Sequence, residues 1–180
     1  MSDTPSLDHL WAGWRHAYIT SVSEPSDTSL DPDDSGSLFE RILRRPDDEA
    51  FVVHRGATCS VLLNAYPYTS GHMLVLPNRA APGLEDLTAA EMLELATLTR
   101  DAVVALKAEY RCEGVNIGTN LGRAAGAGVP SHLHTHVLPR WAGDTNFVTS
   151  VALLRVLPEP LDVTWRRLAA AWPDAHGRTP

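Results

Sequence analysis

The sequence predicts an α+β fold in which about five short, mostly antiparallel strands carry one long helix on a face of their sheet. Three observations lead there. Segments of five to seven residues rich in Val, Ile and Leu recur between positions 50 and 138, too short to be helices. Turn formers punctuate them: Gly56, the run YPYTSG at 66–71, and Pro77. A capping-box pattern, Thr88-Ala-Ala-Glu91, then opens a helical pattern that continues to about Tyr110.

From the N-terminus, SLDHLWAGWRHAYI (6–19) sets Leu7, Leu10, Trp11, Trp14, Tyr18 and Ile19 at helical spacing, which predicts an amphipathic helix with an aromatic face. Residues 21–37, SVSEPSDTSLDPDDSGS, read as a flexible linker. A short helix over Leu38–Arg44 ends before Pro46. Ala50–Arg55 and Thr58–Asn64 form a hairpin about Gly56, and His72–Leu76 is a third strand stopped by Pro77. In the long helix, Met92, Leu95, Leu98, Ala102, Val103 and Leu106 form the stripe that covers the sheet. Gly114–Thr119 and His132–Leu138 supply strands four and five, around the loop NLGRAAGAGVPS, and a last helix lies near Val163–Trp172. This divides the chain into an N-terminal helical extension and linker (1–45), one folded domain (46–150) and a C-terminal extension (151–180).

Composition limits the function. The chain is 44% hydrophobic and 21% charged, ordinary for a globule with a core, and no apolar run is long enough to span a membrane. The start, MSDTPSLDHL, lacks the basic and apolar regions of a signal peptide. Cys59 and Cys112 stand far apart, so reduced thiols in a cytoplasmic chain are expected. With 15 basic against 22 acidic residues the net charge is −7, which argues against nucleic acid as a partner. A phosphate-bearing substrate therefore needs local donors, because the overall field repels it.

The candidate chemistry lies in SHLHTHVLPRW (131–141), where His132, His134 and His136 alternate. On a strand, alternate side chains share a face. An inert polar face would favour β-branched or aromatic residues instead. A straight strand places the outer two histidines roughly 13 Å apart, while zinc–nitrogen bonds are about 2.0–2.1 Å, so three cannot share one ion. A site using two of them stays open. The remaining reading is nucleophilic: a neutral imidazole attacks phosphorus and carries the group covalently. The glycine-rich stretch before it, Gly122–Gly128, can turn backbone N–H groups toward phosphate oxygens.

His132-Leu-His134-Thr-His136-Val-Leu138 resembles the motif of the histidine-triad (HIT) family of nucleotidyl hydrolases and transferases, with Thr135 at a usually apolar position. LNAYPYTSGHMLVLPNR (63–79) resembles that family's nucleoside-holding segment, and GVNIGTNLGRAAGAG (114–128) its phosphate loop. Together these cover roughly residues 50–150. HVLPRWAGDTNF (136–147) resembles the branch containing diadenosine tetraphosphate phosphorylases. Many members carry a glutamine after Ala-Gly; here Ala125-Gly126 is followed by Ala127-Gly128.

The resemblance implies a HIT-like fold, a homodimer, and His134 as nucleophile, with His132 and His136 orienting it and contacting phosphate oxygens. It further implies His72 near the phosphate, Asn64 on the ribose, and Asn116, Asn120, Gly126, Ala127, Gly128 and Ser131 on the phosphate side. Arg140 and Trp141 follow the catalytic strand as further candidates for phosphate contact. The implied activity is phosphorolysis of a dinucleoside polyphosphate, with inorganic phosphate as second reactant. Hydrolysis, nucleotidyl transfer from another AMP donor, and a non-catalytic nucleotide-binding module are the alternatives. No metal is implied at the nucleophile, although Mg²⁺ can accompany the polyphosphate.

Overall fold

The structure, a computed structural model, describes residues 35–144 and 159–173. The expected helix at 6–19 lies outside them, as does most of the expected linker. Helices α1 (Leu38–Leu43) and α2 (Asp47–Ala50) precede β1 (Val52–Arg55), β2 (Cys59–Leu63) and β3 (Met73–Pro77). The long helix α3 (Ala89–Tyr110), β4 (Gly114–Thr119), β5 (Thr135–Arg140) and α4 (Leu161–Ala170) follow. The sheet order is β1-β2-β3-β5-β4, and each neighbouring pair is antiparallel.

Strand alternation gives the sheet two apolar faces. Val61, Leu63, Met73, Val75 and Val137 point toward α3 and pack with its Leu95, Leu98, Ala102, Ala105 and Leu106. Leu62, Leu74 and Leu76 point the other way and pack with Phe39, Ala50 and Val129. The expected stripe of α3 is corrected at its start. Met92 is exposed and Glu91, four residues before Leu95, turns inward. Glu91 closes the capping box with Thr88 and binds Arg79 through both carboxylate oxygens, at 2.7 and 2.8 Å.

Two further expectations shift. Pro77 does not stop β3 but ends it in register, opposite Cys59; its carbonyl is turned toward the histidines. The fifth strand begins at Thr135, not His132, because the Leu133 N–H donates to the Ala81 carbonyl at 2.7 Å and leaves the ladder. At one sheet edge α4 covers β1, where the Trp165 indole N–H donates to the Val52 carbonyl at 2.8 Å. None of the described helices is long and apolar enough to cross a membrane.

Arg79 holds the Glu91 carboxyl down to about 2, from an ordinary 4.5. A depressed carboxylate stabilises the fold above its unfolded pKa and loses that contribution as acid protonates it. The stability gap between wild type and Glu91→Gln, measured by urea unfolding, is therefore expected to be full above pH 4.5 and to close as pH falls toward 2.

Candidate active site

The sheet register decides which face holds the chemistry. His136 stands opposite Leu74 on β3 and Gly118 on β4, so it points away from α3. A Cβ added at Gly118 would meet nothing within 4 Å, so the space beside His136 on that side is open.

His132 and His134 lie in the bend just before β5. His132 is fully buried, and both its ring nitrogens are engaged. Nε2 lies 2.8 Å from the Pro77 carbonyl oxygen and Nδ1 lies 2.6 Å from Ser37 Oγ. A carbonyl only accepts, so Nε2 carries the proton and Nδ1 accepts from the serine hydroxyl. The ring then has no N–H for a phosphate oxygen. This corrects the expectation that His132 contacts phosphate. It also removes His132 from any shared metal site, a firmer reason than strand spacing.

His134 Nδ1 lies 2.9 Å from the His132 carbonyl oxygen, so Nδ1 carries the proton of the neutral ring and Nε2 is left with a lone pair. That nitrogen has no partner among the described residues. The accepting carbonyl belongs to the peptide plane whose N–H, that of Leu133, is bound to Ala81, so the plane is held at both ends. Burial pushes the pKa of both His132 and His134 below the usual histidine range. Each ring is thereby kept neutral, which for His134 keeps the lone pair.

A second relay fixes His136. The Tyr68 backbone N–H donates to His72 Nδ1 at 3.1 Å, so His72 carries its proton on Nε2. That N–H points at His136 Nδ1, 2.9 Å away, which leaves the proton of His136 on Nε2. The Tyr68 ring stacks on His136 with centroids 5.9 Å apart. Gly71 makes the turn into His72 with φ of 83°, where a Cβ would crowd Leu106, Tyr110 and Pro139 at 3.1–3.3 Å.

His134 and His136 open onto a cavity of about 460 Å³. Leu38, Phe39, Ile42, Leu62 and Leu74 make its apolar wall, and Asn64, Tyr66, Tyr68, His134, His136, Gly126 and Gly128 bring the polar groups. Asn64 Oδ1 accepts from the Tyr66 N–H at 3.0 Å. In the glycine loop, the N–H groups of Gly126 and Ala127 donate to Arg123 and Gly122, and Asn120 braces the Gly126 carbonyl at 3.4 Å. They therefore shape the loop. The Gly128 N–H has no acceptor among the described residues and is the loop's clearest candidate phosphate donor.

His72, His132, Asn120 and Ala127 do not line this cavity but hold its histidines or its loop, whereas Asn116, Ser131, Arg140 and Trp141 stand apart from it. Arg140 donates to Asn116 Oδ1 at 2.8 Å and to Asp144, and Trp141 packs edge-on against Tyr110. Ser131 is exposed beside the bend. Conversely, Ser37, Phe39 and the Pro77 carbonyl belong to the cluster and were not expected there. Phe39 lies 5.3 Å from the His132 ring and 5.1 Å from that of His134. A signal for the first existed: Ser37-Leu-Phe-Glu40 is a capping-box pattern, which places the last residue of the expected linker on a helix. Among the described residues, no group of three His, Cys, Asp or Glu side chains is placed to hold a metal ion.

A family profile described as "HIT domain" matches residues 45–143. An AP-4-A phosphorylase of Mycobacterium tuberculosis is 40% identical over 169 residues, covering 92% of this chain and 85% of that protein. An asymmetrical bis(5'-nucleosyl)-tetraphosphatase of Schizosaccharomyces pombe is 37% identical over 93 residues, 52% of this chain and 50% of that one. Among solved structures, a zinc-bound histidine triad family protein of Mycobacterium smegmatis superposes with a TM-score of 0.57 at 27% identity. That match covers 67% of this chain and 82% of that one.

The hydrogen bonds predict one set of proton positions, which long-range ¹H–¹⁵N spectra of the histidines can read. His134 is expected as the Nδ1–H form and His132 and His136 as Nε2–H forms, with His132 and His134 titrating below 6.5.

Proposed function

The chain belongs to the HIT-domain family, and on that premise we propose that it cleaves diadenosine tetraphosphate by phosphorolysis with His134 as the nucleophile. It is an enzyme of the family's nucleotidyltransferase and phosphorylase class, acting on dinucleoside polyphosphates through a nucleotidyl-histidine. One observation carries the choice of nucleophile. His134 lines the cavity, its Nδ1–H is committed to the His132 carbonyl, and its Nε2 retains a lone pair.

His134 Nε2 attacks the α-phosphorus of a bound adenosine half. The bond from that phosphorus to its bridging oxygen breaks, and the electron pair leaves with ATP. The positive charge on the substituted imidazole is shared with Nδ1–H, which already donates to a fixed carbonyl. An oxygen of inorganic phosphate then attacks the same phosphorus, which yields ADP and returns His134 to its starting state. The apolar wall takes the base, Asn64 faces the ribose, and the His136 N–H and the Gly128 N–H serve the phosphoryl oxygens. His132 acts as a positioning residue and His72 holds His136. No metal is assigned at the nucleophile; a Mg²⁺ carried on the polyphosphate as part of the substrate would offset its negative charge.

Phosphate as acceptor is supported by the likeness to the AP-4-A phosphorylase over nearly the whole chain, and by the small residues Ala127 and Gly128 in the loop. Hydrolysis is the second reading, favoured by the shorter match to the tetraphosphatase. A homodimer through β4 is supported by its place at the sheet edge and by exposed Ile117 and Leu121.

Incubation of diadenosine tetraphosphate with the enzyme is expected to give ADP and ATP only when phosphate is present; AMP and ATP regardless of phosphate would establish hydrolysis instead. His134→Ala is expected to lower turnover by roughly 10³-fold or more while nucleotide binding persists. Near-normal turnover by a folded His134→Ala protein would overturn the assignment.

A further inference from the structure

We propose that Ser37, which lies upstream of the family-matched region, is a positioning residue for the catalytic histidines, supplying the donor that holds His132 and through it the carbonyl that orients His134. The proposal rests on the assignment of His134 as nucleophile. Ser37 and His132 are 95 positions apart in sequence, yet Oγ and Nδ1 meet at 2.6 Å. The direction of that bond follows from the Pro77 carbonyl on the other side of the ring, which commits the imidazole proton to Nε2. Only a donor can satisfy Nδ1, and a buried acceptor left without one is costly.

The serine is itself fixed. It is the N-cap of α1, its Oγ accepting from the Glu40 N–H at 3.2 Å while its own N–H donates to Glu40 Oε2 at 2.7 Å. The other oxygen of Glu40 accepts from the Ala80 N–H at 3.0 Å. The next residue, Ala81, accepts the Leu133 N–H, which belongs to the same peptide plane as the His132 carbonyl. The capping box therefore reaches that plane by two routes, through the His132 ring and through the 80–81 backbone. From the same short helix, Phe39 packs on both rings and Leu38 and Ile42 line the cavity. The segment that walls the substrate also sets the geometry of the nucleophile.

Ser37 has two roles, and substitutions separate them. Ser37→Thr keeps both the cap and the donor. Ser37→Asp keeps the cap, since aspartate is a good N-cap, but its ionised carboxylate only accepts and faces the Nδ1 lone pair. Ser37→Ala loses both. On diadenosine tetraphosphate, Ser37→Asp and Ser37→Ala are expected to lower kcat about tenfold with KM moved by less than about threefold. Ser37→Thr, which keeps both the cap and the donor, is expected to restore wild-type kcat and to keep the wild-type Tm.

In histidine ¹H–¹⁵N spectra at neutral pH, the Asp variant should move the His132 ring signals off the Nε2–H pattern, and the Thr variant should not. Wild-type kcat with unchanged His132 signals in Ser37→Asp would overturn the proposal. So would a loss of kcat in Ser37→Thr equal to that in Ser37→Ala. If the wild type fails to turn over this substrate, the functional reading fails while the spectra still decide the role of Ser37: unchanged His132 and His134 signals in Ser37→Asp refute it, and shifted ones support it.

Discussion

The hydrogen bond from His134 Nδ1 to the His132 carbonyl is the constraint on which the rest of the site depends. A neutral imidazole has one proton and one lone pair, and the ring is useful as a nucleophile only when the lone pair faces the substrate. The bond settles that by holding the proton on the buried side. It works because the accepting peptide plane is also gripped at its N–H by Ala81. A carbonyl on a loose strand end would let the ring turn and exchange tautomers.

The same logic runs through the neighbouring rings. His132 and His72 are each anchored by a group whose hydrogen-bonding role cannot be reversed, the Pro77 carbonyl and the Tyr68 backbone N–H, and His72, its tautomer so fixed, in turn orients His136. Backbone groups are suited to this task because they neither titrate nor rotate independently of the fold. Burial adds to it by disfavouring the charged rings of His132 and His134. For a chain of net charge −7, such local donors matter more than the overall field when the substrate carries several phosphates.

The fold supplies this rigidity from both sides. Helix α3 presses on one face of the sheet, while the small α1–α2 layer closes the other over Leu62, Leu74 and Leu76. Arg79 and Glu91 tie the start of α3 to the segment after β3, which is the segment that supplies Ala80 and Ala81 to the site. Packing on one face and chemistry on the other thus share a few backbone residues.

Much of this was legible in the residues themselves. Alternation of apolar side chains, turn formers and the Thr88–Glu91 box determine the strands, the long helix and the α+β class, because those signals act between near neighbours. The histidine pattern and its resemblance to a family pointed to nucleotidyl chemistry on His134 for the same local reason. Other features were decided only by tertiary structure. That His132 is enclosed rather than facing phosphate depends on Ser37 and Pro77, brought in from 95 and 55 positions away. That Arg140, Asn116 and Trp141 stand apart from the cavity depends on sheet register and on the position of Asp144. Spacing along a chain specifies which side chains share a face. Which atoms supply the last proton or lone pair is settled by distant segments, because a hydrogen bond is satisfied in space without regard to sequence order.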